Sequence, residues 1–373
     1  MAHHTWWTIS TTPSVDEDMG STRSADVVVI GAGQAGLSAA YHLQRLGYPP
    51  YDGFVVLDAN AHPGGAWQHR WPSLTMRDVH GVAALPGTDA PDPPDTERAN
   101  QAVPRYFGEY ERDLALPVAR PVQVETVTDG PGDHLTVHTD GDAWTASAII
   151  NATGTWRQPF IPYYPGAETF AGRRLHTVEY RGPEDFAGQR VLVVGGGASA
   201  VQILAELAPY ADTRWVTRRE PTWRHGPFGH EEGRAAVALV EERVRQGLPP
   251  QSVVSVTGLI LREQEQAAAD AGVYDRHPMF ARLTPDGATW QDGRSERFDA
   301  VLWATGFRPD IAHLAPLQLR EASGGIALDG TQAVRDARVQ LVGYGPSAST
   351  IGANRAGRIA ARNVLRVLEP AVA

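Results

Sequence analysis

The sequence predicts an α/β protein of two three-layer units, one inserted into the other, with a small antiparallel β-meander hung on the first. Three observations carry this. An apolar strand runs into a glycine-rich turn and then a helix twice, in "ADVVVIGAGQAGLSAAYHL" from Ala25 and in "RVLVVGGGASAVQILAEL" from Arg190. The segment "ATG" stands at 152–154 and is echoed at 304–306, which suggests that the chain leaves the first unit near Gly154 and re-enters it near Asp299. A length of 373 residues exceeds the size at which one hydrophobic core usually divides.

Along the chain, residues 1–23 are polar and turn-rich without a helical or strand period and read as a disordered lead-in, inside which Met19 is a second candidate start. A β-branched strand over 26–30 leads to a helix over 35–46 with Leu37, Tyr41 and Leu46 on its buried side, then a strand over 54–58. The proline- and aspartate-rich "GTDAPDPP" from Gly87 is a loop, followed by a helix over 96–114. The alternating "HLTVHT" and "AWTASAII" are the strands of the meander. Strand, turn, helix and strand then recur over 190–217. Two helices charged on one face follow in "HEEGRAAVALVEERVRQG" and "LREQEQAAADAG", and the strand and turn "FDAVLWATGFRPD" comes after them. The expected division is 24–156 with 298–373 for the first unit and 157–297 for the insert.

A net charge of -10 argues against nucleic acid and anionic membrane as partners and leaves a small molecule. No run approaches the roughly 18 apolar residues of a membrane span, and no charged-then-apolar leader opens the chain, so the expected compartment is the cytoplasm. With no cysteine there is no disulfide, thiolate metal site or redox dithiol, and no metal cluster is expected.

The first glycine turn has the spacing of a dinucleotide-binding, Rossmann-like fold. Gly31 makes the tight turn, Gly33 lets backbone approach a pyrophosphate, and Gly36 lets helix pack on strand, with Gln34 and Ala35 at the positive helix start. Asp58 ends the next strand, where an acid accepts from ribose hydroxyls. Beyond it, "PGGAWQHRW" offers Gly65 and Trp67 to a cofactor longer than its first ribose, which selects FAD. Val127, Thr153, Gly154 and a helix starting near Thr350 complete the expected FAD set, the helix dipole facing the flavin or else only completing the packing. The second turn carries Gly195, Gly197, Ser199 and Ala200, and after its strand Arg218 and Arg219 stand where an acid would select NAD. Two guanidiniums suit the 2′-phosphate of NADPH, with NADH left open because Glu220 follows at once. Thr305 and Gly306 are placed at the junction of the two units.

Between the turns, "FAGRRLHTVEY" fits FxGxxxHxxxY through Phe170, Gly172, His176 and Tyr180. On this leader, with "GGAWQHRWPSL", "ATGTW", "TRREPTW", "ATGFRP" and "LVGYG", the chain from Asp26 onward resembles the class B flavoprotein monooxygenases, most of all the small bacterial flavin-containing monooxygenases. The resemblance implies FAD, NADPH and O2, a C4a-(hydro)peroxyflavin, and oxygenation of a small organic substrate, with a homodimer common among similar enzymes. Tyr180 and Arg181 replace the Trp-Pro of the Baeyer–Villiger branch, which favours sulfur or nitrogen oxygenation without excluding lactone formation. His176 is expected to act as a structural hub in the linker between the units. Where larger relatives place an asparagine beside flavin C4a, this chain has Arg77 and Asp78, either a catalytic departure or a salt-bridged loop pair. Two further readings stay open: an NADPH-dependent flavin reductase or oxidase serving a quinone or carrier protein, and a non-catalytic flavin-binding protein. Trp223, His225 and Phe228 are candidate walls of the substrate route.

Overall fold

The computed structural model describes residues 22–79, 81–224, 230–250 and 258–368. His225 and Phe228 lie outside them, as do residues 1–21 of the expected lead-in. The first strand begins at Thr22, two residues inside that stretch, and runs Thr22–Ile30. Thr22 and Arg23 pair with Ala143 and Trp144, and Arg23 bridges to Asp142 at 3.0 Å, which extends the strand backward.

The first sheet has nine strands. Its parallel centre consists of Asp336–Leu341, Ala143–Asn151, Thr22–Ile30, Phe54–Leu57 and the short Val118–Ala119, in that spatial order. Val124–Asp129 and Leu135–Thr139 fold antiparallel onto Ala143–Asn151 and form the expected meander. Buried on both faces, the central strands read as continuous apolar runs. On one face lie the helices Gln34–Arg45 and Thr350–Leu368, with Ala99–Asp113 beside them. Helix Gln34–Arg45 buries Leu37, Ala40 and Leu43, whereas Leu46 falls one residue past its end and is exposed.

The second sheet has five strands, all parallel, in the order Arg276–Pro278, Asp212–Thr217, Arg190–Val194, Ala300–Trp303 and Arg173–His176. Two expectations are corrected here. Ala300–Trp303 belongs to the second sheet, because it pairs with Arg190–Val194 on one side and Arg173–His176 on the other. The chain therefore returns to the first sheet only after the turn at 304–306, later than residue 298. The leader is no linker either: Arg173–His176 is the edge strand of this sheet, with His176 opposite Trp303.

The two passages between sheets run side by side. Phe160 N–H donates to Gly306 O at 2.9 Å, Arg308 N–H to Gln158 O at 2.8 Å and Asp310 N–H to Gly154 O at 2.9 Å. The repeated "ATG" turns thus mark two antiparallel crossovers bonded to each other.

At the first glycine turn, helix and strand approach so closely that a Cβ added at Gly36 would lie 1.9 Å from Gly31 O. Gly36→Ala is therefore expected to cost about 1–3 kcal/mol, the usual range for overpacking, read as a lowered thermal unfolding midpoint. Gly197→Ala, whose added methyl meets nothing within 4 Å, should stay within about 0.5 kcal/mol of the parent.

Candidate functional site

A cleft of about 530 Å³ opens along the carboxyl edge of the first sheet, where a doubly wound fold leaves room for a ligand. Its wall includes Gly31, Gly33, Gln34, Ala35, Asp58, Gly65, Trp67, Thr153 and Gly154, so most of the residues the sequence assigned to FAD are brought together. Helix Gln34–Arg45 starts at this wall with no side-chain cap and no acid in its first turn, which leaves its N–H groups for an anion. Gly65, at φ +51, lets the second glycine loop close over the turn: a Cβ there would sit 2.8 Å from Gly33 Cα. At the far end Ser347, Ala348, Ser349 and Ala353 line the wall where helix Thr350–Leu368 begins. An open helix start, a backbone-lined floor and an elongated cleft fit the pyrophosphate and the length of FAD.

Three placements depart from expectation. Val127 is fully buried in the core on the other side of the sheet, and residues 122–125 take its place in the wall, because the register shifts between Val124 and Thr126. Asp58 lies in the wall, yet both its oxygens are engaged: Arg120 Nε donates to Oδ2 at 2.9 Å and Asn60 Nδ2 to Oδ1 at 3.0 Å. Arg120 also forks onto Glu111 at 2.6 and 2.7 Å, so Asp58 is held rigid and keeps only its remaining lone pairs for a ribose. Arg77 is exposed, and neither it nor Asp78 reaches the cleft. The reason is upstream: Trp71 and Leu74 are buried in the core of the second unit and draw the chain out of the cleft before residue 76.

Two arginines stand in the wall, Arg70 and Arg157, and sequence reasoning passed over both. The Arg70 guanidinium stands over the rings of Trp67 and Trp156 at 5.5 and 5.6 Å, and its buried Nε has no hydrogen-bond partner among the described residues. Burial holds its pKa below the usual arginine value. Trp156 stacks on His69 and on Phe307, and Phe307 meets His176 edge-on at 5.1 Å, so an aromatic column runs from the cleft to the leader.

His176 is 1% exposed. Its Nδ1 accepts from Val178 N–H at 3.3 Å, which puts the hydrogen on Nε2, and Nε2–H donates to Gly306 O at 3.0 Å. Burial pushes its pKa down and keeps the ring neutral. Phe170 packs in the second unit's core, while a Cβ at Gly172 would meet Asp299 O at 2.4 Å. Thr305 Oγ1 donates to Phe160 O across the crossovers.

On the second unit, helix Ala198–Leu207 also begins without a cap or an acid, behind Gly195 and Gly197, with Ser199 half-buried and Ala200 buried. Arg218 and Arg219 are exposed just past strand Asp212–Thr217. Arg276 steadies that strand end, its guanidinium donating to Thr217 Oγ1 at 2.9 Å and Thr217 O at 3.2 Å. Trp223 lines a separate cavity of about 370 Å³ with Tyr274 and Leu261, away from the cleft. Among the described residues no helix is long and apolar enough to cross a membrane.

Comparison with known proteins agrees with this geometry. The family model described as pyridine nucleotide-disulphide oxidoreductase matches residues 28–231. The solved flavin-containing monooxygenase from Stenotrophomonas maltophilia is 39% identical, with 92% of this chain and 99% of that chain covered and a TM-score of 0.78. A Baeyer-Villiger monooxygenase of Streptomyces coelicolor is 27% identical over 85% of this chain, which spans only 64% of that relative's length. An indole-3-pyruvate monooxygenase of Oryza sativa subsp. japonica is 26% identical over 82% of each chain.

A two-unit oxidoreductase that brings a flavin and a nicotinamide dinucleotide together is the class this fold and cleft define. The chain belongs to the pyridine nucleotide-disulphide oxidoreductase family, among its FAD- and NADPH-dependent monooxygenases. Lacking cysteine, it is a member without the thiols of the family's description.

Arg70→Leu is expected to weaken FAD binding roughly tenfold or more, the scale of a hydrogen bond to a charged group. Flavin fluorescence titration measures this, while the unfolding midpoint of the apoprotein stays close to the parent's.

Proposed function

We propose that this chain is a single-component monooxygenase that holds FAD in the cleft of the first unit, binds NADPH on the second, and oxygenates a sulfur or nitrogen atom of a small organic substrate. The observation that carries this reading is one cysteine-free chain with two uncapped helix starts behind glycine turns, joined by two crossovers bonded to each other. Bound FAD supplies the electron-accepting and oxygen-activating chemistry. The protein binds, orients and excludes water.

Gly31, Gly33 and the amides of residues 34–36 would take the pyrophosphate, and Asp58, fixed by Arg120, the adenosine ribose. Trp67, Trp156 and Phe307 form an apolar wall that keeps water from the reacting end, and Arg70 puts a positive charge within it. Arg218 and Arg219 would bind the 2′-phosphate, with Arg276 bracing their strand end. Neutral His176 keeps the edge strand of the NADPH unit on the crossover without placing a charge there. The choice of sulfur or nitrogen over lactone formation rests on Tyr180 and Arg181 at the end of the leader.

Oxygen uptake and hydrogen peroxide release are measured on the FAD-loaded protein with NADPH, alone and with thioanisole or cyclohexanone. Sulfoxide forming with thioanisole while peroxide falls is the expected result. Lactone from cyclohexanone without sulfoxide would move the activity to the Baeyer–Villiger branch. Peroxide as the sole oxygen product with every organic compound offered would favour a reductase or oxidase instead.

A further inference from the structure

The chain from Arg70 to Val79 leaves the wall of the cleft and embeds itself in the other unit. Trp71 and Leu74 are each 3% exposed and belong to the apolar core built around strands Arg190–Val194 and Ala300–Trp303. Helix Ala198–Leu207 of the second unit meets this strap with one polar stripe. Gln202 Nε2 donates to Asp78 O at 2.7 Å. One turn on, the Glu206 carboxylate accepts three hydrogen bonds, from Trp71 Nε1 at 2.8 Å, from Ser73 Oγ at 2.6 Å and from Tyr180 Oη at 3.0 Å. Arg262 adds a fourth hold, donating to Asp78 O at 2.5 Å and Val79 O at 3.3 Å.

Glu206 therefore joins three separate parts of the chain: the strap that continues the cleft wall, the helix that starts at the second glycine turn, and the tyrosine that closes the leader. Tyr180 itself lies flat on Phe186 and edge-on to Trp71, so its ring is fixed by packing and only its hydroxyl is spent on Glu206. Glu206 is half-buried; burial pushes its pKa up, and the three donors, occupying most of its acceptor sites, work the other way and favour the carboxylate. The arrangement is specific: moving the second unit relative to the strap would strip the half-buried Glu206 of its donors.

We propose that Glu206 is a positioning residue of the reductive step, whose carboxylate fixes the angle between the NADPH-binding unit and the cofactor cleft by accepting from Trp71, Ser73 and Tyr180 at once. This rests on the functional reading above. Glu206 does not line the cleft; it acts through the strap, which leads directly to Arg70 and Trp67 in the wall.

The test uses the FAD-loaded full chain carrying Glu206→Gln or Tyr180→Phe. The phenylalanine variant keeps the stacked ring and removes one hydroxyl, so it guards against simple misfolding. Two readouts are taken: hydrogen exchange of the amides of residues 71–79 without NADPH, and the rate of flavin bleaching on anaerobic mixing with NADPH. In both variants exchange over 71–79 should rise roughly tenfold while the first sheet is unchanged. The limiting rate of bleaching should fall roughly tenfold at an NADPH concentration dependence within about twofold of the parent's. Glu206→Gln, which retains an acceptor for Trp71, should recover part of the rate lost in Glu206→Ala. Unchanged exchange over 71–79, or an unchanged limiting rate in both variants, overturns the proposal. A flavin that NADPH fails to bleach in the parent protein overturns the functional reading itself, and this inference with it.

Discussion

Everything in this molecule depends on how two sheets are held across a double crossover. The crossover itself contributes a few backbone hydrogen bonds between 154–160 and 306–310 and the Nε2–H of His176 bonded to Gly306 O, and Val244 of helix His230–Arg245 adds to it by packing in the first unit's core, with Gly325 N–H donating to Gly247 O at 2.9 Å. Gly306 O accepts from both Phe160 N–H and His176, so a single carbonyl anchors the first crossover and the edge strand of the second sheet. In the neutral ring Nε2–H donates to Gly306 O while Nδ1 stays free to accept from Val178 N–H, and burial favours that neutral form. A charged ring there would bring an unpaired cation into a buried junction.

The strap over 71–79 adds directional side-chain contacts to this junction. Backbone crossovers fix where the units meet, but each crossover is soft in φ and ψ, so side chains must set the angle. The strap does this by mixing the two cores: it starts in the cleft wall at Arg70 and ends among the side chains of helix Ala198–Leu207 and Arg262. Indole, hydroxyl and carboxylate groups serve better here than more apolar packing would. Hydrogen bonds to a carboxylate are directional, whereas apolar contacts tolerate sliding.

Most of the fold was legible in the residues because two periodic signals repeat. The strand–glycine–helix units over 25–45 and 190–207 and the alternation in 135–150 each identify an element by its own local chemistry. What escaped were facts set by long-range pairing. Ala300–Trp303 is an apolar run that fits either sheet, and only its partners decide. Arg77 matched an expected position by counting along a loop, but burial of Trp71 and Leu74 in the other unit turns that loop away. Arg70, seven residues earlier, carries no local sign of its role, since its environment is made by Trp67 and by Trp156 from a distant segment. Glu206 did leave a trace, as the one acid in the apolar run "SAVQILAEL", where an unpaired carboxylate would be costly.

The central claim is that one chain passes a hydride from NADPH on the second unit to FAD in the first. The direct measurement is anaerobic stopped-flow mixing of the FAD-loaded protein with NADPH and with NADPH deuterated at nicotinamide C4. Loss of the oxidised flavin absorbance in a single turnover, slowed by deuterium on one face of the ring only, is the result the structure predicts. Flavin that stays oxidised, or that bleaches at the same rate with either deuterated face, would contradict it.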